Sequence, residues 1–264
     1  MPTPSSTSLP ETLVSLTSFG AAEVRRHGQL WFAQLCAQAG ANAVEVREEL
    51  LVDAGQELPA LAAWLQDSPL WSVYSCPQPL FDKHGSLDEG VLAHALTATQ
   101  ALGAKWLKMS IGQFAAQSIE HSAQGFVSLA KQMLESGLTL LIENDQTVRA
   151  GSIRALQQFF AAADAAGLHL PMTFDMGNWH YVGECPLEAA RCFSQRVAYV
   201  HTKGVQHPGK WVAVPLAQSQ AAWRTVLFAL PTEVPRAIEY PLINDELTAY
   251  TRQELDALRI ATVL

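Results

Sequence analysis

Four acid–base residues end four successive apolar runs of this chain. Leu-Leu-Ile-Glu closes on Glu143, Met-Thr-Phe-Asp on Asp175, Val-Ala-Tyr-Val-His on His201 and Arg-Ala-Ile-Glu on Glu239. Carboxylate oxygens with one imidazole form a donor set for a divalent ion, and Mn²⁺, Mg²⁺, Co²⁺ and Zn²⁺ all suit it. Glu143 and Glu239 can also pass a proton to and from carbon as a general acid and base. Further polar residues sit nearby in sequence. Lys108 lies in Trp-Leu-Lys-Met-Ser, Glu45 and Arg47 in Ala-Val-Glu-Val-Arg, and Lys203 two residues past His201. Asn178 and His180 follow Asp175, and Arg149 follows Glu143.

The elements that must position these residues alternate along the chain. Eight short apolar runs read as strands: Thr12–Phe19, Ala43–Arg47, Leu70–Ser75, Lys105–Ser110, Thr139–Glu143, Met172–Asp175, Val197–Lys203 and Arg236–Pro241. Between them lie stretches with apolar residues at helical spacing, such as Leu87–Leu102, Ser118–Ser136 and Ser152–Ala166, and residues 245–262 read as the last helix. Gly40, Gly103, Gly137 and Gly167 each stand just before a strand, as helix-ending glycines do. Strand–helix alternation implies a parallel sheet. An open nucleotide-binding sheet should carry a glycine-rich phosphate turn after its first strand; Ser-Phe-Gly-Ala-Ala carries one glycine. Eight βα units in 264 residues favour a single closed (β/α)₈ TIM barrel.

Barrel chemistry sits at the C-terminal ends of the strands. Side chains alternate faces along a strand, and the outer face packs on helices, so the polar residues should point inward. Leu141 and Glu143 then face in together, as do Thr173 and Asp175, Tyr199 and His201, and Ala237 and Glu239. A lone strand-end carboxylate is more often a helix cap or rim residue, but three inward carboxylates at one mouth repel one another unless a cation neutralises them. Lys108 and Lys203 share the inward parity, and Arg47 shares that of Glu45, with a rim ion pair as the plain alternative. Arg149 reads equally as a solvated side chain, and His207 as a loop residue. Trp106, Trp179 and Trp211 could wall a bound ligand, although packing is the commoner fate of a tryptophan.

The net charge of −8 gives no basic face for nucleic acid. Cys36, Cys76, Cys185 and Cys192 form no Cys-x-x-Cys pair and read as free thiols of a reducing compartment. No signal peptide or membrane span is legible, so a cytoplasmic protein is expected. Residues 1–11 read as a loose tail and 12–264 as the catalytic barrel, with homodimerisation left open.

Together these segments resemble the xylose isomerase-like superfamily of sugar phosphate isomerases and epimerases. Gly-Ala-Asn-Ala-Val-Glu-Val-Arg is similar to its second strand, Leu-Ile-Glu-Asn-Asp to its fifth, Phe-Asp-Met-Gly-Asn-Trp-His to its sixth and Val-His-Thr-Lys-Gly to its seventh. The resemblance implies metal ligation by Glu143, Asp175, His201 and Glu239, whose spacings are 32, 26 and 38 residues. It also implies proton transfer next to a carbonyl by Glu143 and Glu239. Asn178 stands where such proteins often carry histidine, Arg149 where they carry an acid, and Ala217-Gln218-Ser219 where they often carry Gly-Glu-Gly. With Lys108, Arg149, Arg47, Asn178, His180 and Lys203 as substrate contacts, the expected substrate is a sugar acid of the keto-aldonate type or a sugar phosphate. A dehydratase with the same site is the alternative. An abasic-site endonuclease and a non-catalytic sugar-acid binder rank lower.

Overall fold

The computed structural model describes residues 9–114 and 119–261. Residues 1–8 of the expected tail, Ser118 at the start of one expected helix and residue 262 of the last lie outside the described residues. Ten strands occur among them. They are β1 (Thr12–Ser15), β2 (Ala43–Arg47), β3 (Trp71–Ser75), β4 (Trp106–Ser110), β5 (Thr139–Glu143), β6 (Met172–Asp175), β7 (Val197–Thr202), β8 (Gly204–Gln206), β9 (Val212–Val214) and β10 (Arg236–Ile238). All except β8 and β9 close into one parallel barrel, in which β10 lies between β7 and β1. This is a single (β/α)₈ TIM barrel.

The helices follow the capping logic of their sequences. Asp88 accepts a hydrogen bond from the Val91 backbone N–H and opens Glu89–Leu102; Gly103, at φ 69° and ψ 26°, closes that helix in a left-handed conformation that costs glycine little. Ser152 likewise caps Ile153–Ala165. Apolar residues on the outer faces of the strands, among them Val44, Val46, Leu107, Ile142, Phe174 and Ile238, pack into the helical layer as one large core. A second, smaller core fills the barrel itself: Leu13, Ala43, Val73, Leu141, Tyr199 and Ala237, floored by Trp71 and Trp106. Leu141, Tyr199 and Ala237 sit two residues before Glu143, His201 and Glu239. The inward parity of those strands is therefore as expected.

Three strands end sooner than their apolar runs. The first stops at Ser15 and tightens into a 3₁₀ turn over Leu16–Phe19. The seventh stops at Thr202 and the last at Ile238. Past the rim no ladder continues, and Pro241 has no N–H to offer one. Glu239 still donates its backbone N–H to the Thr202 carbonyl at 3.1 Å, so its side chain stays in register with the barrel mouth. The segment after His201, expected to be a plain loop, instead forms the antiparallel hairpin β8–β9 over that mouth. No helix among the described residues is long and apolar enough to cross a membrane.

Gly204 lets the hairpin turn back tightly. A Cβ there would fall 2.6 Å from the Val214 carbonyl oxygen and 2.7 Å from that of Pro215. Both obstacles are backbone, so Gly204→Ala must push the strands apart. We expect a loss of about 1–3 kcal/mol in urea unfolding; an unchanged midpoint would show that the close approach is absent in solution.

Candidate metal centre and active site

Six barrel strands bring polar residues to the mouth. β2 brings Glu45 and Arg47, β4 brings Lys108, β5 ends on Glu143, β6 on Asp175, and β7 brings His201 with Lys203 just beyond it. Glu239 follows β10. Glu143, Asp175, His201 and Glu239 each offer a ligand atom, and those four atoms lie within 4.8 Å of one another. The imidazole is their centre. Its Nδ1 stands 2.9 Å from Glu143 Oε1, 3.0 Å from Glu239 Oε2 and 3.7 Å from Asp175 Oδ2. Its Nε2 donates to Glu45 Oε2 at 2.7 Å.

Glu45 is the hub beneath this set. It is completely buried, and besides His201 it meets the Tyr199 hydroxyl at 3.1 Å, Arg47 at 2.8 Å, Lys108 at 3.4 Å and the Ser15 hydroxyl at 3.4 Å. The cations are spent in the same way. Lys108 reaches Glu143 Oε2 at 2.5 Å, Arg47 reaches Glu239 Oε1 at 3.1 Å, and Lys203 reaches both Asp175 Oδ2 and Glu239 Oε2 at 2.8 Å. Three permanent cations plus His201 thus face four carboxylates. Part of the neutralisation that these carboxylates need is therefore supplied by the chain itself, from Lys108, Arg47 and Lys203.

The charge states follow from this packing. Burial alone would strip the proton from His201, but Glu239 and Glu45 outweigh it and hold the imidazole well above its ordinary pKa. Burial would likewise raise Glu239 and Glu45. His201 with Lys203 holds the first well below the usual carboxylate range, and His201 with Lys108 does the same for the second. Glu143 is lowered as well, with Lys108 and then His201 overcoming burial. Burial moves Asp175 upward against Lys203. Two backbone N–H groups, of Gly177 at 2.8 Å and Asn178 at 2.9 Å, bind its Oδ1 and favour the ionised form.

The donor set fits a divalent ion. Asp175 has one carboxylate oxygen fastened to backbone and the other turned inward. His201 has Nε2 fastened to a carboxylate and Nδ1 turned inward, the outer-shell arrangement that orients metal-binding histidines.

The other expected contacts are placed differently. Lys108 is buried and meets Glu143 at 2.5 Å and Glu45 at 3.4 Å. Asn178 is buried; its amide donates to the Asn144 carbonyl at 2.9 Å, and its Oδ1 accepts from Lys203 and Gln146, each at 3.2 Å. Arg149 is exposed on the rim and donates to Gln113 at 3.0 Å. His180 packs on Trp211 with ring centres 4.8 Å apart, and His207 packs on the other side of that tryptophan. Trp179 is core, and Trp106 stacks edge-on against Trp71 at the barrel floor. Sequence reasoning weighed Glu45 as a rim ion pair and missed its centrality. Its inward parity, the same test that found the ligands, was the available signal. Asn144 entered only as part of the fifth-strand resemblance; its role, exchanging hydrogen bonds with the Asp175 backbone at 2.8 and 3.0 Å, is one that only tertiary pairing reveals.

No protein-family model and no curated protein matches this sequence. Solved structures do match the fold. The chain is similar to the IolI protein with a bound zinc atom (12% identity, TM-score 0.67, covering 96% of this chain and 98% of that one). It is similar to the probable 3-DHS dehydratase AsbF from Bacillus anthracis (12%, 0.68, covering 94% and 98%). It is also similar to D-psicose 3-epimerase from Clostridium cellulolyticum H10 (12%, 0.66, covering 96% and 99%). The chain has the fold of the xylose isomerase-like TIM-barrel proteins.

Proposed function

We propose that this chain is a divalent-metal-dependent isomerase or epimerase that moves a proton next to the carbonyl of a small sugar. One observation carries the reading. Within the four-residue donor set, Asp175 and His201 are fully buried, while the Glu143 and Glu239 side chains keep 15% and 12% of their surface exposed. Two residues can hold an ion from below while two glutamates also face whatever enters. Glu143, Asp175, His201 and Glu239 would hold the ion, which when bound supplies Lewis acidity at the substrate's carbonyl and hydroxyl oxygens. Glu143 and Glu239 come from β5 and the end of β10, on either side of His201. Lys108 fixes the first through Oε2 and Arg47 the second through Oε1. One carboxylate would take the proton, and the other, after gaining one from solvent or a substrate hydroxyl, would return one to carbon.

A cavity of about 410 Å³ opens beside Glu239 and Lys203, lined also by Thr17, Ser18, Gln146 and Tyr240. That volume lies within the usual range for small-molecule sites. Among the cations expected to meet an anionic substrate, Arg47, Lys108 and Lys203 are engaged by carboxylates. Arg149 bonds a neutral amide, so the sugar acid or sugar phosphate reading rests on Arg149. The single histidine of the donor set and the net charge of −8 suit neither a multi-zinc centre nor a DNA groove.

Calorimetry should register one Mn²⁺ or Zn²⁺ per chain, and Asp175→Ala should abolish it. Absence of binding to the native chain would remove the metal reading. Glu45→Gln should weaken the ion by about 10–100-fold, because His201 loses the carboxylate that orients it.

Incubation with keto-aldonates, sugar phosphates and neutral ketoses in deuterated water tests the chemistry. A substrate should take deuterium at the carbon beside its carbonyl. Glu143→Gln and Glu239→Gln should each lower kcat by about 10²–10⁴ with metal retained in part. Near-native rates in both would leave the glutamates as ligands alone, and release of water would identify a dehydratase. Arg149→Met should raise KM for an anionic substrate by about tenfold, leaving kcat close to native.

A further inference from the structure

Of the three buried cations, one is placed unlike the others. Lys108 binds Glu143 through Oε2, while Oε1 of that residue faces His201. Arg47 binds Glu239 through Oε1, while Oε2 faces His201. Both therefore hold their partners by the oxygen pointing away from the centre. Lys203 holds the inward oxygens, Asp175 Oδ2 and Glu239 Oε2, each at 2.8 Å. These are the atoms that a divalent ion would use.

The position of Lys203 is built in. Its ammonium has three hydrogens and three acceptors: the two carboxylate oxygens and Asn178 Oδ1 at 3.2 Å. Asn178 is itself held by Asn144 and Gln146. The aliphatic stem runs over Gly177, where a Cβ would lie 2.7 Å from Lys203 Cδ and 2.9 Å from Cγ. Glycine leaves that path open, and the asparagine oxygen completes the ammonium's shell. A histidine at 178 would offer it a ring in place of that carbonyl oxygen.

We propose that Lys203 is an internal cation that competes with the divalent ion for Asp175 and Glu239. The inference rests on the metal reading above and adds that affinity for the ion and stability of the metal-free protein oppose each other at this residue. Without the ion, Lys203 neutralises two buried carboxylates that would otherwise repel. With the ion, its positive charge acts against a second cation a few ångströms away. Lys203 is thus no substrate contact; it sets how tightly the site is loaded.

The test is titration of metal-depleted protein with Mn²⁺, and with Zn²⁺ separately, beside melting curves with and without each ion. Lys203→Met and Lys203→Gln should bind at least about tenfold tighter than the native chain. They should melt lower without metal, and gain more from its addition. Lys203→Arg, which keeps the charge, should stay within about threefold of native. Folded Met and Gln variants with unchanged or weaker affinity overturn the inference while leaving the metal reading intact. Binding by the variants but not by the native chain supports the competition, and overturns only the expectation that the native chain takes up the ion. No binding by any of them overturns both. If neither variant folds without metal, refolding in Mn²⁺ decides: recovery of the fold supports the competition, and failure overturns it.

Discussion

A carboxylate in the interior of a barrel is costly unless its charge is met, and this barrel mouth holds four. Glu45, Glu143, Asp175 and Glu239 lie within reach of one imidazole, above a largely apolar plug from which the Tyr199 hydroxyl reaches Glu45. Everything else at the mouth is arranged around that constraint. Lys108 rises through the fourth strand to serve Glu45 and Glu143. Arg47 bridges Glu45 and Glu239, and Lys203 closes the ring between Glu239 and Asp175. Each carboxylate meets more than one cationic group, but cations and carboxylates are equal in number, so losing any single cation leaves one charge uncompensated in a poorly solvated place.

The ring also explains why the backbone around it is so carefully tied. Asn144 exchanges two hydrogen bonds with Asp175, linking the ends of the fifth and sixth strands where their ladder is short. Gly177 and Asn178 donate to Asp175 and so form the first turn after that strand. The hairpin that follows Lys203 depends on Gly204 approaching the opposite strand more closely than any side chain would permit. Gly177 and Gly204 flank Lys203 in space for the same reason, which is clearance: one for its stem, the other for the chain that leaves it.

The charge arrangement bears on substrate choice. The residues of the site balance one another's charge, so apart from a bound ion they leave little positive potential to draw an anion inward. Recognition of a carboxylate or phosphate would then fall to the rim, where Arg149 is exposed, and recognition of hydroxyls to the half-open glutamates and the polar lining of the cavity. Under the proposed function, charge selection at the rim and proton transfer at the centre would not interfere, since a cation added beside Glu143 or Glu239 would further depress its basicity.

The architecture could be read from residue order alone. Apolar runs of strand length alternating with helical spacing, punctuated by Gly40 and Gly103, imply the barrel because period and turn chemistry are local properties. Strand alternation was enough to bring Glu143, Asp175, His201 and Glu239 to one mouth, since side-chain parity follows from the backbone. Partners are a different matter. Whether Lys108 meets a substrate or a glutamate depends on what the neighbouring strands place opposite it, and in a barrel those partners come from residues 35 and 63 positions away in sequence. Glu45 reads as one rim carboxylate until the seventh strand brings His201 and Tyr199 against it. The hairpin after Lys203 looked like loop because its strands are three residues each, too short to show an alternation. Residue types and their faces were therefore settled by local geometry, and the pairing of charges by tertiary packing, because electrostatic pairing depends on distance in space and on nothing that sequence separation records.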